Sequence, residues 1–233
     1  FFAKENARDV KLDVQLTAVR TAIEKALPQY GGFHVQRSPK KFVMKKNGME
    51  FDFINLSDGE KCYITLLGAI ARLLAITHPS SEEPLQERGL FIVDEIDLHL
   101  HPEWQKTVVE KLRAVFPNCQ FFLTTHSPFV LSGVRTYDGE QIISVSNGEA
   151  IAQSGKIFGS QAQDILLNQF NIDSLRAPEA EELVREWREK IAKGEVLDEE
   201  YKTIKSKLMD RMNPMDAEVM QLLLEETKML KGK

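Results

Sequence analysis

The chain has 233 residues, 42% of them hydrophobic and 28% charged, enough for one sizeable core or a core with an appendage. A formal net charge of −5 gives no overall basic field of the kind that draws nucleic acid. Cys62 and Cys119 stand far apart with no CxxC pair, and no apolar run approaches the roughly 18–20 residues that span a bilayer. A reducing, cytoplasmic setting is therefore expected.

Residues 4–27 predict a helix. Val10, Leu12, Val14, Leu16, Val19, Ile23 and Leu27 keep a mostly helical spacing, and Pro28 with Gly31-Gly32 stops it. Two strands follow within 33–54, over 33–36 or 41–45 and then 49–54, with Asn47-Gly48 as a two-residue hairpin signal. Arg37, Lys40, Lys41, Lys45 and Lys46 make this hairpin locally basic, which suits a solvated face or contacts to phosphates.

Leu56-Ser57-Asp58-Gly59-Glu60 reads as a helix start. Ser57 is a good N-cap, and Glu60 three residues on completes a capping box. The helix runs to about Thr77 and ends at Pro79. Its N-terminus offers free N–H groups, a hydroxyl and a glycine, which suits phosphate oxygens. Residues 78–88 are a polar, proline-containing loop.

Gly89–Glu95 is the most pointed stretch. Four apolar residues, Leu90 to Val93, run into the adjacent carboxylates Asp94 and Glu95. The run predicts a strand buried on both faces, as in a parallel sheet. Acids at its carboxyl end lie where open α/β sheets place ligands, and alternation lets the two point apart. Such acids suit holding Mg²⁺ and accepting a proton from an attacking water. Pro102 opens a helix whose apolar face is Trp104, Val108, Leu112 and Val115. The His99/His101 pair lacks further ligands at metal spacing.

Residues 120–125 predict a second buried strand, so strand, helix and strand form a βαβ unit with a parallel pair. His126 then falls at the same sheet margin as Asp94 and Glu95. Residues 141–145 and 150–153 form another hairpin through Asn147-Gly148. From Ser160 onward the chain predicts amphipathic helices over about 160–170, 178–193, 198–212 and 215–230.

Three pieces in fixed order carry a family resemblance. L-S-D-G-E (56–60) resembles the ABC ATPase signature, commonly L-S-G-G-Q/E. G-L-F-I-V-D-E (89–95) resembles the Walker B strand, and F-F-L-T-T-H-S-P (121–128) the switch-histidine strand. D-E-I-D-L-H-L-H-P-x-W-Q (94–105) is similar to heads related to the structural-maintenance-of-chromosomes (SMC) and RecF proteins, the AAA-family ATPases of bacterial antiviral systems. Residues 165–179 resemble the ATPase subunit of Septu-type and retron-associated defence, which works with an HNH nuclease.

The resemblance implies an α/β fold with a mostly parallel sheet and flanking helices, half of a P-loop NTPase head. Residues 1–158 would be the head portion and 159–233 a helical appendage. ATP and Mg²⁺ are the implied cofactors. Asp94 would organise the Mg²⁺ shell, Glu95 polarise the attacking water, and His126 sense the γ-phosphate. Ser57 and Gly59, within the signature with Asp58 and Glu60, would reach a nucleotide held by a second subunit. Asp97 would lie at that dimer interface. A homodimer or higher oligomer through an ATP sandwich, a nuclease partner and a nucleic acid are the implied partners, with no membrane.

Two departures bear on this. No G-x-x-x-x-G-K-[ST] phosphate loop occurs in the 233 residues, and the chain opens at Phe1 without Met, so a longer polypeptide is expected. Asp58 stands where the commoner signature has Gly, placing a carboxylate beside a phosphate site. Alternatives are a DNA-maintenance ATPase of SMC/RecF type and a scaffold with an incomplete nucleotide site. An intrinsic Toprim nuclease is disfavoured, because residues 159–233 are helical in pattern and contain no D-x-D.

Overall fold

Helix α1 (Val10–Ala26) and helix α2 (Asp58–Thr77) lie together in one apolar core. The computed structural model describes residues 10–137, 139–153 and 156–231. Residues 4–9 of the expected first helix, with the side chains of Val10 and Leu12, lie outside the described residues. Ala22, Ile23, Leu27, Tyr63, Leu67 and Leu74 are buried almost completely between these helices and their neighbours.

Between the two helices the chain forms an antiparallel meander of β1 (Tyr30–Arg37), β2 (Lys40–Lys46) and β3 (Met49–Asp52). The expected pair of strands is thus three, since 33–36 and 41–45 both pair. Asn47 and Gly48 have φ of 51° and 82°, the double left-handed turn that Asn-Gly favours between twisted strands. Phe33, Phe42 and Phe53 pack edge to face, with centroids 3.9 and 5.4 Å apart.

β4 (Gly89–Val93) and β5 (Cys119–Leu123) pair in parallel, from Gly89 opposite Cys119 to Val93 opposite Leu123. The expectation that they are buried on both faces does not hold in this chain. Phe91, Val93, Phe121 and Leu123 pack on the core, whereas Leu90, Ile92 and Phe122 are 60, 76 and 53% exposed. One layer of helices covers one face, and nothing among the described residues covers the other.

The crossover expected as one helix from Pro102 is two, α3 (Pro102–Gln105) and α4 (Val108–Val115). The Thr107 hydroxyl donates back to the Trp104 carbonyl at 3.3 Å and competes with the backbone ladder there. α5 (Pro128–Gly133) follows β5, and β6 (Ile143–Ser146) and β7 (Glu149–Ala152) form the expected hairpin.

The chain divides into two compact units, 1–165 and 166–233, with α6 (Ala162–Asn168) spanning the division. The second unit holds α7 (Pro178–Lys193), α8 (Glu199–Arg211) and α9 (Ala217–Lys231). Its own core includes Val184, Trp187, Ile191, Tyr201, Leu208, Val219 and Leu222. Among the described residues no helix is long and apolar enough to cross a membrane.

Candidate active site

The parallel pairing continues past the two strands. The Thr124 N–H donates to the Val93 carbonyl at 3.1 Å, and the Ile96 N–H donates to the Thr124 carbonyl at 3.0 Å. Residues 93–96 therefore lie beside Thr124 at one margin of the sheet, the position where α/β sheets gather chemistry, and His126 follows two residues on.

Thr124 links the two acids. Its hydroxyl donates to the Asp94 carboxylate and accepts the Glu95 N–H at 2.8 Å. Glu95 itself leaves the strand conformation, with φ of 50°. A non-glycine residue held there stores strain of order 1–3 kcal/mol, and such strain gathers at functional sites. Asp94 is thus anchored, while the exposed Glu95 carboxylate has no hydrogen-bond partner among the described residues. The two neighbours differ because one precedes the left-handed turn and the other makes it.

Thr125 repeats the arrangement one residue on. Its hydroxyl donates to the Asp97 carboxylate and accepts the Ser127 N–H at 3.0 Å. His126, between these two threonine-anchored positions and Ser127, is exposed, and its imidazole has no hydrogen-bond partner among the described residues. Behind the turn, Gln105 Nε2 donates to the carbonyls of Asp97 and Leu100 at 3.1 and 2.9 Å. Gln105 Oε1 accepts the Ser127 hydroxyl at 2.7 Å, and Ser127 Oγ in turn caps α5.

The start of α2 is a full capping box. The Glu60 N–H donates to Ser57 Oγ at 3.3 Å, and the Ser57 N–H donates to Glu60 Oε2 at 2.7 Å. The Ser57 hydroxyl also donates to Glu60 Oε2, at 2.8 Å. The other carboxylate oxygen, Oε1, accepts from the Tyr30 hydroxyl and the Lys46 ammonium. Burial pushes the Glu60 carboxyl up, but the donors from Lys46, Tyr30 and Ser57 outweigh it and bring it down to about 2. Burial, then the Glu60 carboxylate, pushes the Tyr30 phenol up. Asp58 turns away, with its side chain 86% exposed and 3.5 Å from Lys61.

Gly59 brings this helix start against the turn after the acids. A Cβ there would overlap the carbonyl oxygen of His99, itself left-handed at φ 62°. Ser57, Gly59 and Glu60 therefore lie against the turn at His99, while Asp94 and Glu95 meet at Thr124 and Asp97 meets Thr125, the residue before His126. Sequence reasoning gave no individual role to Thr124, Thr125, Gln105 or Tyr30, and read Lys46 only as one of a basic hairpin cluster. The paired threonines at the end of an apolar strand were a readable signal. Lys46 was not, since it stands in a run of hairpin lysines yet turns inward. The side chains of Arg37 and Lys40, two others of that run, lie outside the described residues, and Lys41 pairs with Asp52 at 3.5 Å.

The parallel strand pair ending in two acids and the capped helix start against the turn that follows lie within a match to an AAA-type ATPase domain. The family described as "AAA domain, putative AbiEii toxin, Type IV TA system" matches residues 9–132, and the chain belongs to it. It is 32% identical to the Retron Ec83 probable ATPase of Escherichia coli over 91% of this chain and 39% of that protein. It is 40% identical to the Retron Vc95 probable ATPase of Vibrio cholerae serotype O1 biovar El Tor over 65% of this chain and 30% of that protein. Septu protein PtuA of Bacillus mycoides (strain KBAB4) is 34% identical over 52% of this chain and 15% of its own length. The chain thus spans well under half the length of these relatives.

Proposed function

We propose that this chain carries the signature and Walker B half of an ATPase head that hydrolyses ATP when two subunits enclose it. Its observational basis is the Thr124 linkage, which ties the Asp94 carboxylate to the Glu95 backbone at the end of the parallel pair. Asp94 is held and suits a fixed ligand; Glu95 is free and suits accepting a proton from water; His126 is free to donate to a γ-phosphate. Ser57 and Gly59 lead the helix that meets the nucleotide of the opposite subunit, and Asp97 faces that interface.

The donors suit Mg²⁺. Asp94 and Thr124 offer hard oxygens. Mg²⁺ is usually held in this way, by one or two protein oxygens with phosphates and water completing the shell. When bound, it neutralises charge on the transferring phosphoryl group. The chain's own residues orient the water, hold its proton at Glu95 and make hydrolysis conditional on pairing.

The exposed face of β4 and β5 supports a further layer of polypeptide. Parallel sheets are covered on both faces, and Leu90, Ile92 and Phe122 are bare here. We assign that layer to the polypeptide that carries the phosphate loop. Residues 1–158 belong to the head and 159–233 to a helical appendage. The names of the retron and Septu relatives support a role in antiphage defence, in which ATP turnover gates a nuclease of HNH type or another nucleic-acid-acting effector.

The deciding experiment replaces Glu95 with Gln in the full-length protein. Hydrolysis is expected to fall by at least about 100-fold while ATP-driven association persists or strengthens. Unchanged turnover removes Glu95 from the chemistry. Association that never depends on ATP overturns the sandwich.

A further inference from the structure

Ser57 does not present a free hydroxyl. It donates to Glu60 Oε2 at 2.8 Å and accepts the Glu60 N–H at 3.3 Å, so the direction of its O–H follows the Glu60 carboxylate. That carboxylate is fixed from the β1–β2 hairpin. Glu60 is 9% exposed, and its Oε1 is gripped by Tyr30 at the start of β1 and Lys46 at the end of β2. The Lys46 ammonium also lies 5.7 Å from the centroid of the Tyr30 ring. The hairpin end is tied down independently, because the Asn47 N–H donates to the Gln29 carbonyl at 2.8 Å. Among the Glu60 contacts, Lys46 is the one that brings a positive charge.

We propose that Lys46, with Tyr30, is a positioning residue for Ser57: through Glu60 the β2 hairpin sets how the signature serine meets a nucleotide phosphate. This rests on the reading of Ser57 as a phosphate contact. An ionised carboxylate directly behind that serine repels an incoming phosphate. Lys46 cancels the charge and fixes the carboxylate plane, so Ser57 can turn its O–H outward without exposing an unpaired buried anion. A residue read from sequence as part of a basic hairpin surface thereby belongs to the nucleotide site of the paired state.

The test uses full-length protein and three lysine variants, K46M, K46R and K45M, with Y30F as a fourth. ATP turnover and the ATP concentration for half-maximal self-association are measured for each, with thermal unfolding alongside. K46M is expected to raise KM and the association midpoint about tenfold or more while kcat at saturating ATP stays within about threefold, the pattern of lost binding. K46R restores most of this, the exposed Lys45→Met variant changes neither quantity by more than about twofold, and Y30F shifts both in the same direction by less than K46M. If K46M does not fold, Y30F decides. Equal effects of K45M and K46M, or an unchanged KM in K46M and Y30F, overturn the positioning role. A wild-type protein that does not associate with ATP overturns the sandwich reading, and this inference with it.

Discussion

Gly59 and His99 are in backbone contact: a side-chain carbon on Gly59 would overlap the His99 carbonyl oxygen. Two segments about forty residues apart thus meet without room for a methyl group. Gly59→Ala is expected to destabilise the fold by about 1–3 kcal/mol, because the obstructing atom is backbone and cannot swing aside. Urea unfolding of the variant measures this. Full stability in G59A would mean that the 97–100 turn yields easily and does not fix the helix start.

Glu60 makes stability depend on acid. Its carboxyl ordinarily titrates near 4.5 and is held at about 2 in the fold. A depressed carboxyl contributes stability fully above its unfolded value and loses it as pH falls toward the folded value. The stability gap between wild type and Glu60→Gln is therefore expected to be constant above about pH 5. It should close between about 4.5 and 2, the two values that bound the shift. Denaturant unfolding at pH 7, 4 and 3 reads the gap. A gap independent of pH would show that neutral hydrogen bonds, not the charge, carry the contribution.

Much of the site was legible because its signals are local. Ser57 and Glu60 lie three residues apart, and a capping box needs nothing else. Asn47-Gly48 and Asn147-Gly148 declare their turns through backbone preference. The parallel pair followed from strand, helix, strand. What stayed hidden depends on contacts distant in sequence. Lys46 differs from Lys45 only in which face of β2 it occupies, and Tyr30 meets Glu60 across 30 residues. Gln105 closes the 94–105 motif, which gives it no role by itself, yet it holds two carbonyls and Ser127. The apolar run at 90–93 suggested burial on both sides, but burial also depends on what else is present to cover the sheet.

In the second unit, Lys205 and Glu226 pair at 2.7 Å, with the Glu226 side chain only 8% exposed. Removing the lysine leaves a buried carboxylate without its cation, at a cost of about 3–5 kcal/mol. Lys205→Met is thus expected to unfold this unit early. Adding Glu226→Leu to that variant should recover most of the loss, because no charge is then stranded. Thermal unfolding of the chain and both variants tests the pair. If the double variant is no better than the single one, the loss comes from packing and not from a stranded charge.

The bare face of β4 and β5 separates this chain from the longer polypeptide proposed above. Ile92 is 76% exposed, so Ile92→Ser in the 233-residue chain is expected to change stability by no more than about 0.5 kcal/mol. It should also reduce self-association, since Leu90, Ile92 and Phe122 together form an apolar patch on a sheet with open edges. In the longer protein the same change should cost about 1–3 kcal/mol, because a covered isoleucine loses its packing and buries a hydroxyl instead. Comparing the two proteins by denaturant unfolding isolates the covering layer from every effect inside the chain. An equally small cost in both would mean that the face stays open, and the phosphate loop would then have to reach Asp94 from some direction other than across this sheet.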